Sequence, residues 1–205
     1  QNGSVINEFE LTALDYEENT HFFLSQHFRD AYDLALKNYP FIASNVQITR
    51  IEVWVTNRSQ QTENVRQIVG FQDLGEYNPE KVRFGGPQNF FRATESLPDN
   101  EANLLNPAWI GGEGLPSSIR TAAGAASGLS LLGEPLVNGL DYASLENARK
   151  LEAGLDYSYH RQLGYLSLNQ PLATDEVLAV AYEYTYNGSV YTVGEFSNDN
   201  QRDAS

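Results

Sequence analysis

The sequence predicts an α+β domain in which a mostly antiparallel β-sheet is packed by one long amphipathic helix. Residues 177–186 alternate between two sets of side chains, as a strand with two distinct faces does. Asn187-Gly188 follows them and is typical of a type I′ hairpin turn. Residues 46–56 alternate in the same way. Residues 20–38 instead repeat apolar side chains at helical spacing, which predicts a helix with one apolar stripe.

The predicted helix begins near Asn19 or Thr20, because either side-chain oxygen can accept a hydrogen bond from an unpaired backbone N–H of the first turn. It ends before Pro40, which disfavours the helical conformation at the residue preceding it. We expect its apolar stripe to pack on one face of the sheet. The stripe consists of Leu24, Phe28, Ala31 and Ala35, widened by Tyr32 and Leu36.

Three strands are predicted around this helix, so that residues 1–75 form the strand–helix–strand–strand part of the core sheet. The strands occupy residues 6–14, 46–56 and 65–71. In the second of them the apolar set changes phase between Ile48 and Ile51. This change predicts a β-bulge near Thr49 and Arg50.

Residues 76–140 differ in character and are expected to be a variable loop insertion. Gly, Pro and Asn interrupt every regular pattern up to residue 116, as in a long loop. A second helix is predicted at 116–132, with Pro116 in its first turn and Gly133 just past its end. We expect the loop to be ordered in part by Phe90, Phe91, Leu104, Leu105, Trp109 and Ile110. The expected small-residue face of the helix consists of Ile119, Ala122, Ala123, Ala126 and Leu129.

Residues 141–205 are predicted to complete the same domain with two β-hairpins. One hairpin pairs residues 155–159 with 165–168, and the other pairs residues 177–186 with 190–196. Residues 142–150 are either a short helix or the entry to a strand. We expect both hairpins to join the two preceding strands in a single sheet.

Composition excludes several classes of function. The net charge of −14 argues against nucleic acid as a partner and against docking on anionic lipid, because both need clustered Lys and Arg. No Cys is present, so disulfides and thiolate metal sites are impossible. No apolar run is long enough for a membrane-spanning helix. Since the chain starts at Gln1 and contains no Met, we expect it to be a processed chain or a fragment of a larger protein.

Motifs for catalysis or metal binding are missing from the sequence. His21 and His27 are six residues apart, which places them on different sides of a helix, and His160 has no His near it. The glycine cluster at 111–114 is expected to be a flexible loop, and the acidic group at 15–18 lacks the spacing of a calcium loop. No nucleophile elbow, phosphate loop or dinucleotide fingerprint occurs. The sequence therefore predicts a protein that is not an enzyme and carries no cofactor or metal.

Aromatic side chains are the candidate partner-binding residues. The alternating tyrosines of the last hairpin either form an exposed platform or pack against the stripe of the first helix, and both interpretations stay open. The aromatic residues of the insertion are the second candidate contact surface. The candidates are Phe90, Phe91, Trp109, Tyr182, Tyr184, Tyr186 and Tyr191.

Five long and unusual segments carry a resemblance to a known family. They are residues 11–42, 51–76, 141–151, 163–188 and 193–199. They resemble the SprA family, called Sov in some members, of gliding Bacteroidetes and their relatives. Together they cover well over half of the chain and occur in the family's order, and the predicted insertion departs most from the family.

The resemblance implies a role in the outer-membrane translocon of the type IX secretion system, which exports folded cargo, including gliding adhesins. It implies that the chain is a soluble domain inserted in a very large β-barrel protein, on the periplasmic or the cell-surface side. Implied partners are the rest of its own barrel, other secretion subunits and cargo proteins. The family offers no catalytic residues to transfer.

Two alternatives from other classes stay open at this point. One is a surface module that binds carbohydrate or protein through the aromatic strand of Tyr182, Tyr184 and Tyr186. The other is a hydrolase that uses scattered carboxylates, although no motif supports it.

Overall fold

The computed structural model describes residues 18–59, 62–72, 74, 97–102, 106–111, 115–132 and 136–198. Outside these ranges lie the predicted strand at 6–14, Asp15 and Glu17 of the acidic group, and residues 112–114 of the glycine cluster. Phe90, Phe91, Leu104 and Leu105 of the predicted insertion also lie outside them.

The described residues form eight strands and two α-helices. The strands are β1 (His21–Phe23), β2 (Val46–Thr56), β3 (Val65–Phe71), β4 (Tyr142–Leu151), β5 (Tyr157–His160), β6 (Tyr165–Leu168), β7 (Leu178–Tyr186) and β8 (Ser189–Val193). The helices are α1 (Gln26–Leu36) and α2 (Ala122–Leu129). Short 3₁₀ turns occupy Asn100–Ala102, Pro107–Trp109, Ser117–Arg120 and Ser130–Leu132. Neither α-helix in the described part of the chain is long and apolar enough to cross a membrane.

The strands form two antiparallel sheets, which confirms a mainly antiparallel α+β fold. The large sheet has the order β3-β4-β2-β7-β8, and the small sheet has the order β1-β6-β5. The prediction of one sheet is therefore wrong for the first hairpin, β5–β6. That hairpin pairs with β1 through the register His21↔Ser167 and Phe23↔Tyr165 instead of joining the large sheet.

Helix α1 is shorter than predicted. Ser25, and not Asn19 or Thr20, is its N-cap, and the Ser25 Oγ accepts a hydrogen bond from the Phe28 N–H at 3.3 Å. The first turn of the predicted helix is instead the strand β1. Its backbone pairs with β6, so the helical part of the stripe lies within the 11 residues of α1. Leu24 of the predicted stripe precedes the helix and is nevertheless buried in the core.

Strands β2, β3 and β7 follow the sequence closely. Strand β8 is predicted to reach residue 196 but ends at Val193, because Gly194 has φ of 79° and leaves the sheet. Strand β3 has the predicted bounds, and the register of β2 with β7 shifts between Ile48 and Arg50, which confirms the predicted bulge. Asn187 and Gly188 have φ of 49° and 86°, as a type I′ turn requires. Residues 142–150 belong to strand β4, so the strand interpretation of this stretch is confirmed.

The large sheet curls strongly. A Cβ added to Gly70 in β3 would lie 3.6 Å from the Ala179 Cβ in β7, although two strands separate them in the sheet. Trp54, Leu145 and Ala148 are buried together on the concave face. The opposite face buries Ile48, Val53 and both central tyrosines of β7 against α1 and the small sheet.

The second predicted helix is broken at Thr121. A 3₁₀ turn precedes this residue, and the Thr121 Oγ1 then caps α2 by accepting from the Gly124 N–H at 3.1 Å. The break changes which residues face inward, so the predicted face is wrong at Ala122, Ala123 and Ala126. The buried residues are Ile119, Ala125, Gly128 and Leu129.

Candidate functional site

The two central tyrosines of strand β7 belong to the core. Tyr182 and Tyr184 are 1% and 0% exposed. The Phe28 ring of α1 lies 6.0 Å from the ring of Tyr182 and 5.3 Å from that of Tyr184. The Tyr184 hydroxyl donates a hydrogen bond to the Pro98 carbonyl at 2.9 Å. Of the two interpretations left open by the sequence, packing against the stripe of α1 is therefore confirmed at these two positions, and an exposed platform is wrong there.

The remaining tyrosine candidates are half-buried beside this core. The ring of Tyr191 stacks on that of Tyr184 at 5.2 Å, and the ring of Tyr186 meets His27 edge-on at 6.0 Å. The four tyrosines therefore do not form an open platform. Trp109 ends a short 3₁₀ turn.

Among the residues that the structure describes, the most exposed aromatic side chains follow helix α1. Tyr39 and Phe41 are each 78% exposed, and Leu34 in the last turn of α1 is 70% exposed. We call Tyr39 and Phe41, together with the neighbouring Leu34, the aromatic turn. Its sequence signal is a Tyr-Pro-Phe triplet directly after an amphipathic helix, of which only the proline bears on the predicted helix end.

Backbone hydrogen bonds hold the aromatic turn in place. The Tyr39 N–H donates to the Leu36 carbonyl at 3.0 Å, and the Phe41 N–H donates to the Asn38 carbonyl at 3.0 Å. A large side chain on a fixed backbone loses little conformational entropy when a partner buries it. The aromatic turn is therefore a candidate contact surface.

A second aromatic group lies where α1 meets the small sheet. The Phe23 ring meets those of Tyr32 and Tyr165 edge-on at 5.3 and 6.2 Å, and His160 stacks on Tyr165 at 5.6 Å. Phe23 is 39% exposed, and the other three are half-buried. Since these rings pack on one another, they fix α1 to β1 and β6.

The histidines occupy three separate environments. The His21 Nδ1 lies 2.8 Å from the Ser167 Oγ, whereas the Leu163 N–H donates to the His160 Nδ1 at 3.3 Å. Burial lowers the pKa of His27, and the nearby Asp30 carboxylate opposes this shift only in part. Within the described ranges, no three His, Asp or Glu side chains come together as metal ligands would.

An apolar cleft of about 630 Å³ opens beside the large sheet. Its lining includes Trp54, Ile68, Phe71 and Leu178, and Asp99 lies at its wall. Burial raises the pKa of Asp99, although backbone N–H groups of neighbouring residues favour its charged form. Glu176 and Glu195 also line the cleft, so its lining is mostly but not wholly apolar. A pocket of this kind suits a ligand that is largely apolar.

A polar cluster around the buried Glu52 joins strands β2 and β4 to the chain that follows β8. The Glu52 carboxylate lies 2.9 Å from the Lys150 Nζ and accepts hydrogen bonds from the Ser197 N–H at 3.0 Å and from the Ser197 Oγ at 2.9 Å. The Lys150 Nζ also donates to the Ser197 Oγ at 3.2 Å. Burial opposes the charge on Glu52, but the hydrogen bonds from Lys150 and Ser197 outweigh it and lower the pKa of Glu52.

Residues 194–197, which we call the 194–197 segment, make three further side-chain contacts. Asn100 donates its Nδ2 to the Gly194 carbonyl at 2.9 Å and accepts from the Gly194 N–H at 2.8 Å. Arg120 donates to both carboxylate oxygens of Glu195, at 2.8 and 2.5 Å. The Arg50 guanidinium lies 3.7 Å above the centre of the Phe196 ring. The sequence alone does not reveal this group, because its members are far apart in the chain.

Comparison with known proteins gives one family. The family model SprA_N, described as motility related/secretion protein, matches residues 1–174. The matched range contains α1, the aromatic turn and strands β1 to β6. The match confirms the resemblance that the sequence segments carry. No curated protein matches the chain.

Proposed function

Because the chain belongs to the SprA_N family of motility-related and secretion proteins, we propose that it is a non-catalytic domain of the outer-membrane translocon of type IX secretion and gliding motility. In this proposal the domain is soluble and lies on the periplasmic or cell-surface side of the outer membrane. It caps, lines or braces the pore, and it contacts partner subunits or cargo. The family match over residues 1–174 is the observation that carries the proposal.

The packing of the domain supports a bracing role. Helix α1 inserts Phe28 against the large sheet and Tyr32 against the small sheet, so that one element joins both. Aromatic side chains dominate the energetics of a core, so these contacts resist separation of α1 from either sheet. The two sheets are therefore expected to move as one unit when a partner pushes on either.

The aromatic turn supports a role in contacts. Tyr39 and Phe41 are largely exposed on a hydrogen-bonded turn. Aromatic residues dominate the binding energy of many protein interfaces, where they fill pockets on the partner. We propose the aromatic turn, in place of the buried tyrosines of β7, as the surface that meets other subunits or cargo.

The experiment that tests this function is an in-frame deletion of residues 18–198 from the full-length gene. Two quantities are measured: the level of the remaining protein in the outer membrane, and the secretion of cargo that carries the system's C-terminal signal. We expect the remaining protein at its normal level with secretion stopped. Normal secretion by the deleted protein would contradict the proposal. A strain with the intact gene restored is the control for polar effects.

A further inference from the structure

The 194–197 segment is held in the way that a protein holds a bound peptide. Strand β8 ends at Val193, and Gly194 has φ of 79°, which turns the chain out of the sheet. A Cβ at Gly194 would lie 3.0 Å from the Ala181 Cβ, so a glycine fits this position best. The four residues after β8 are then contacted one by one by side chains of other elements.

Each contact suits the chemistry of the residue it holds. The Asn100 amide matches a backbone N–H and C=O as a neighbouring strand would. The Arg120 fork matches a carboxylate, and the Arg50 guanidinium matches an aromatic face. Glu52 and Lys150 together match a hydroxyl and its backbone N–H. Together, these side chains therefore favour a segment in which a small residue, an acidic residue, an aromatic residue and a hydroxyl-bearing residue follow one another in this order.

The contacting side chains are supplied by well-separated parts of the fold. Arg50 and Glu52 belong to β2 and Lys150 belongs to β4, whereas Asn100 and Arg120 come from two different 3₁₀ turns. Phe196 is 1% exposed, so the site includes a buried position for an aromatic ring. These residues are arranged by the rest of the domain, and a segment that follows β8 fills the place that they form.

We propose that Asn100, Arg120, Arg50, Glu52 and Lys150 form a peptide-recognition site that the chain occupies with its own 194–197 segment. The external ligand is an extended segment of a partner protein in which a glycine, an acidic residue, an aromatic residue and a serine follow one another. It displaces the 194–197 segment and takes over the same contacts. This inference is independent of the proposed function, since it rests on the contacts alone.

The attached segment competes with any external one. A tethered segment acts at an effective concentration on the order of millimolar, so the unmodified chain binds an external peptide weakly. A substitution that weakens only the attached segment makes the site available, and the apparent affinity then rises in proportion to the fraction of open sites. The Arg120–Glu195 pair offers this substitution, because each partner can be changed without touching the other.

The test uses the whole 205-residue chain, unmodified or with one substitution, and a fluorescent peptide with the sequence of residues 192–198. Glu195→Arg places a new guanidinium beside that of Arg120 and so weakens the binding of the attached segment. The site itself is unchanged, because Arg120 is kept. We expect this variant to bind the peptide at least about tenfold more tightly than the unmodified chain. Arg120→Glu also releases the segment but repels the peptide, so we expect no gain. A second peptide carries Arg in place of the Glu that corresponds to Glu195. It should bind the Arg120→Glu variant, whose new carboxylate attracts it, and should not bind the Glu195→Arg variant, whose Arg120 repels it.

Thermal unfolding of each variant shows that it is folded before binding is measured. If Glu195→Arg does not fold, Glu195→Gln removes the charge with less repulsion and should bind the peptide more tightly than the unmodified chain. Equal binding by the folded variant and the unmodified chain, or no exchange of preference between the two peptides, overturns the proposal. A mixture of Arg120→Glu chains and Glu195→Arg chains tests whether a second copy of this chain is the ligand. If the mixture forms dimers, the segment of a second copy fills the site, and the proposal that the ligand belongs to a different protein is overturned.

Discussion

Gly164 sets how closely helix α1 approaches the small sheet. Its φ is +63°, a conformation that favours glycine, and a Cβ at this position would overlap the Phe28 ring. The Gly164 carbonyl also accepts a hydrogen bond from the Leu24 N–H at 2.9 Å. Phe28 in turn contacts the buried tyrosines of β7. One missing side chain therefore lets the helix reach both sheets.

Gly164→Ala is expected to lower the free energy of unfolding by about 2–5 kcal/mol. Overpacking against Phe28 costs about 1–3 kcal/mol, and the left-handed conformation costs about 1–2 kcal/mol for a residue with a Cβ. Chemical denaturation measures the change. Gly154→Ala is the matched control, since Gly154 has φ of +85° but nothing within 4 Å of its added Cβ. Equal losses in the two variants would show that Phe28 contributes nothing.

At the scale of elements, α1 and the turn after it have separate roles. The helix presents Phe28 and Ala35 to the core, where both are buried. The turn presents Tyr39 and Phe41 to solvent. Exposed aromatic side chains add little to folding stability but much to binding when a partner covers them. The two sets of residues are therefore separable by mutation.

Replacing Tyr39 and Phe41 together by Ser is expected to reduce secretion in cells while the free energy of unfolding changes by about 0.5 kcal/mol or less. The control pair is Tyr182→Ser with Tyr184→Ser, which removes core side chains and should cost about 3–5 kcal/mol for each. Secretion assays and thermal unfolding of the purified chain measure the two effects. Unimpaired secretion by the first double variant would exclude the aromatic turn as a contact surface.

At the scale of the whole molecule, Glu52 connects the large sheet to the 194–197 segment. Its carboxylate is buried and meets Lys150 of β4 and Ser197 after β8. Three parts of the chain that are distant in sequence thus meet at one negatively charged carboxylate. Protonating this carboxyl weakens all of these contacts at once, which makes the stability of the molecule depend on pH.

The pKa of Glu52 is lowered by folding, so its stabilising contribution is fully present above the pKa of an unfolded Glu, about 4.3. The contribution is lost as pH falls through the lower pKa of the folded state. Glu52→Gln should therefore lower stability at neutral pH by about 1–3 kcal/mol, and the difference from the unmodified chain should shrink below about pH 4. Denaturation across pH 2–8 measures both curves. A difference that stays constant with pH would contradict this assignment.

Features that depend on neighbours in sequence could be predicted. The Asn187-Gly188 turn, the bulge at Thr49 and the bounds of β3 follow from local conformational preferences and from period-two alternation. The start of α1 could not be predicted in this way. Residues 21–23 were assigned to the helix, but they pair with residues 165–167, more than 140 positions away. Long-range pairing of this kind overrides weak helical propensity.

The sequence by itself determined the fold class, most strands and the family, because alternation, turn chemistry and long distinctive segments are written in adjacent residues. Only the tertiary structure decided that Tyr182 and Tyr184 are core and that Tyr39 and Phe41 are exposed. The tertiary structure alone also brings Glu52, Lys150, Asn100 and Arg120 together around the 194–197 segment. The physical reason is that burial and site geometry depend on which distant elements pack together, and alternation in one strand does not specify which face is covered.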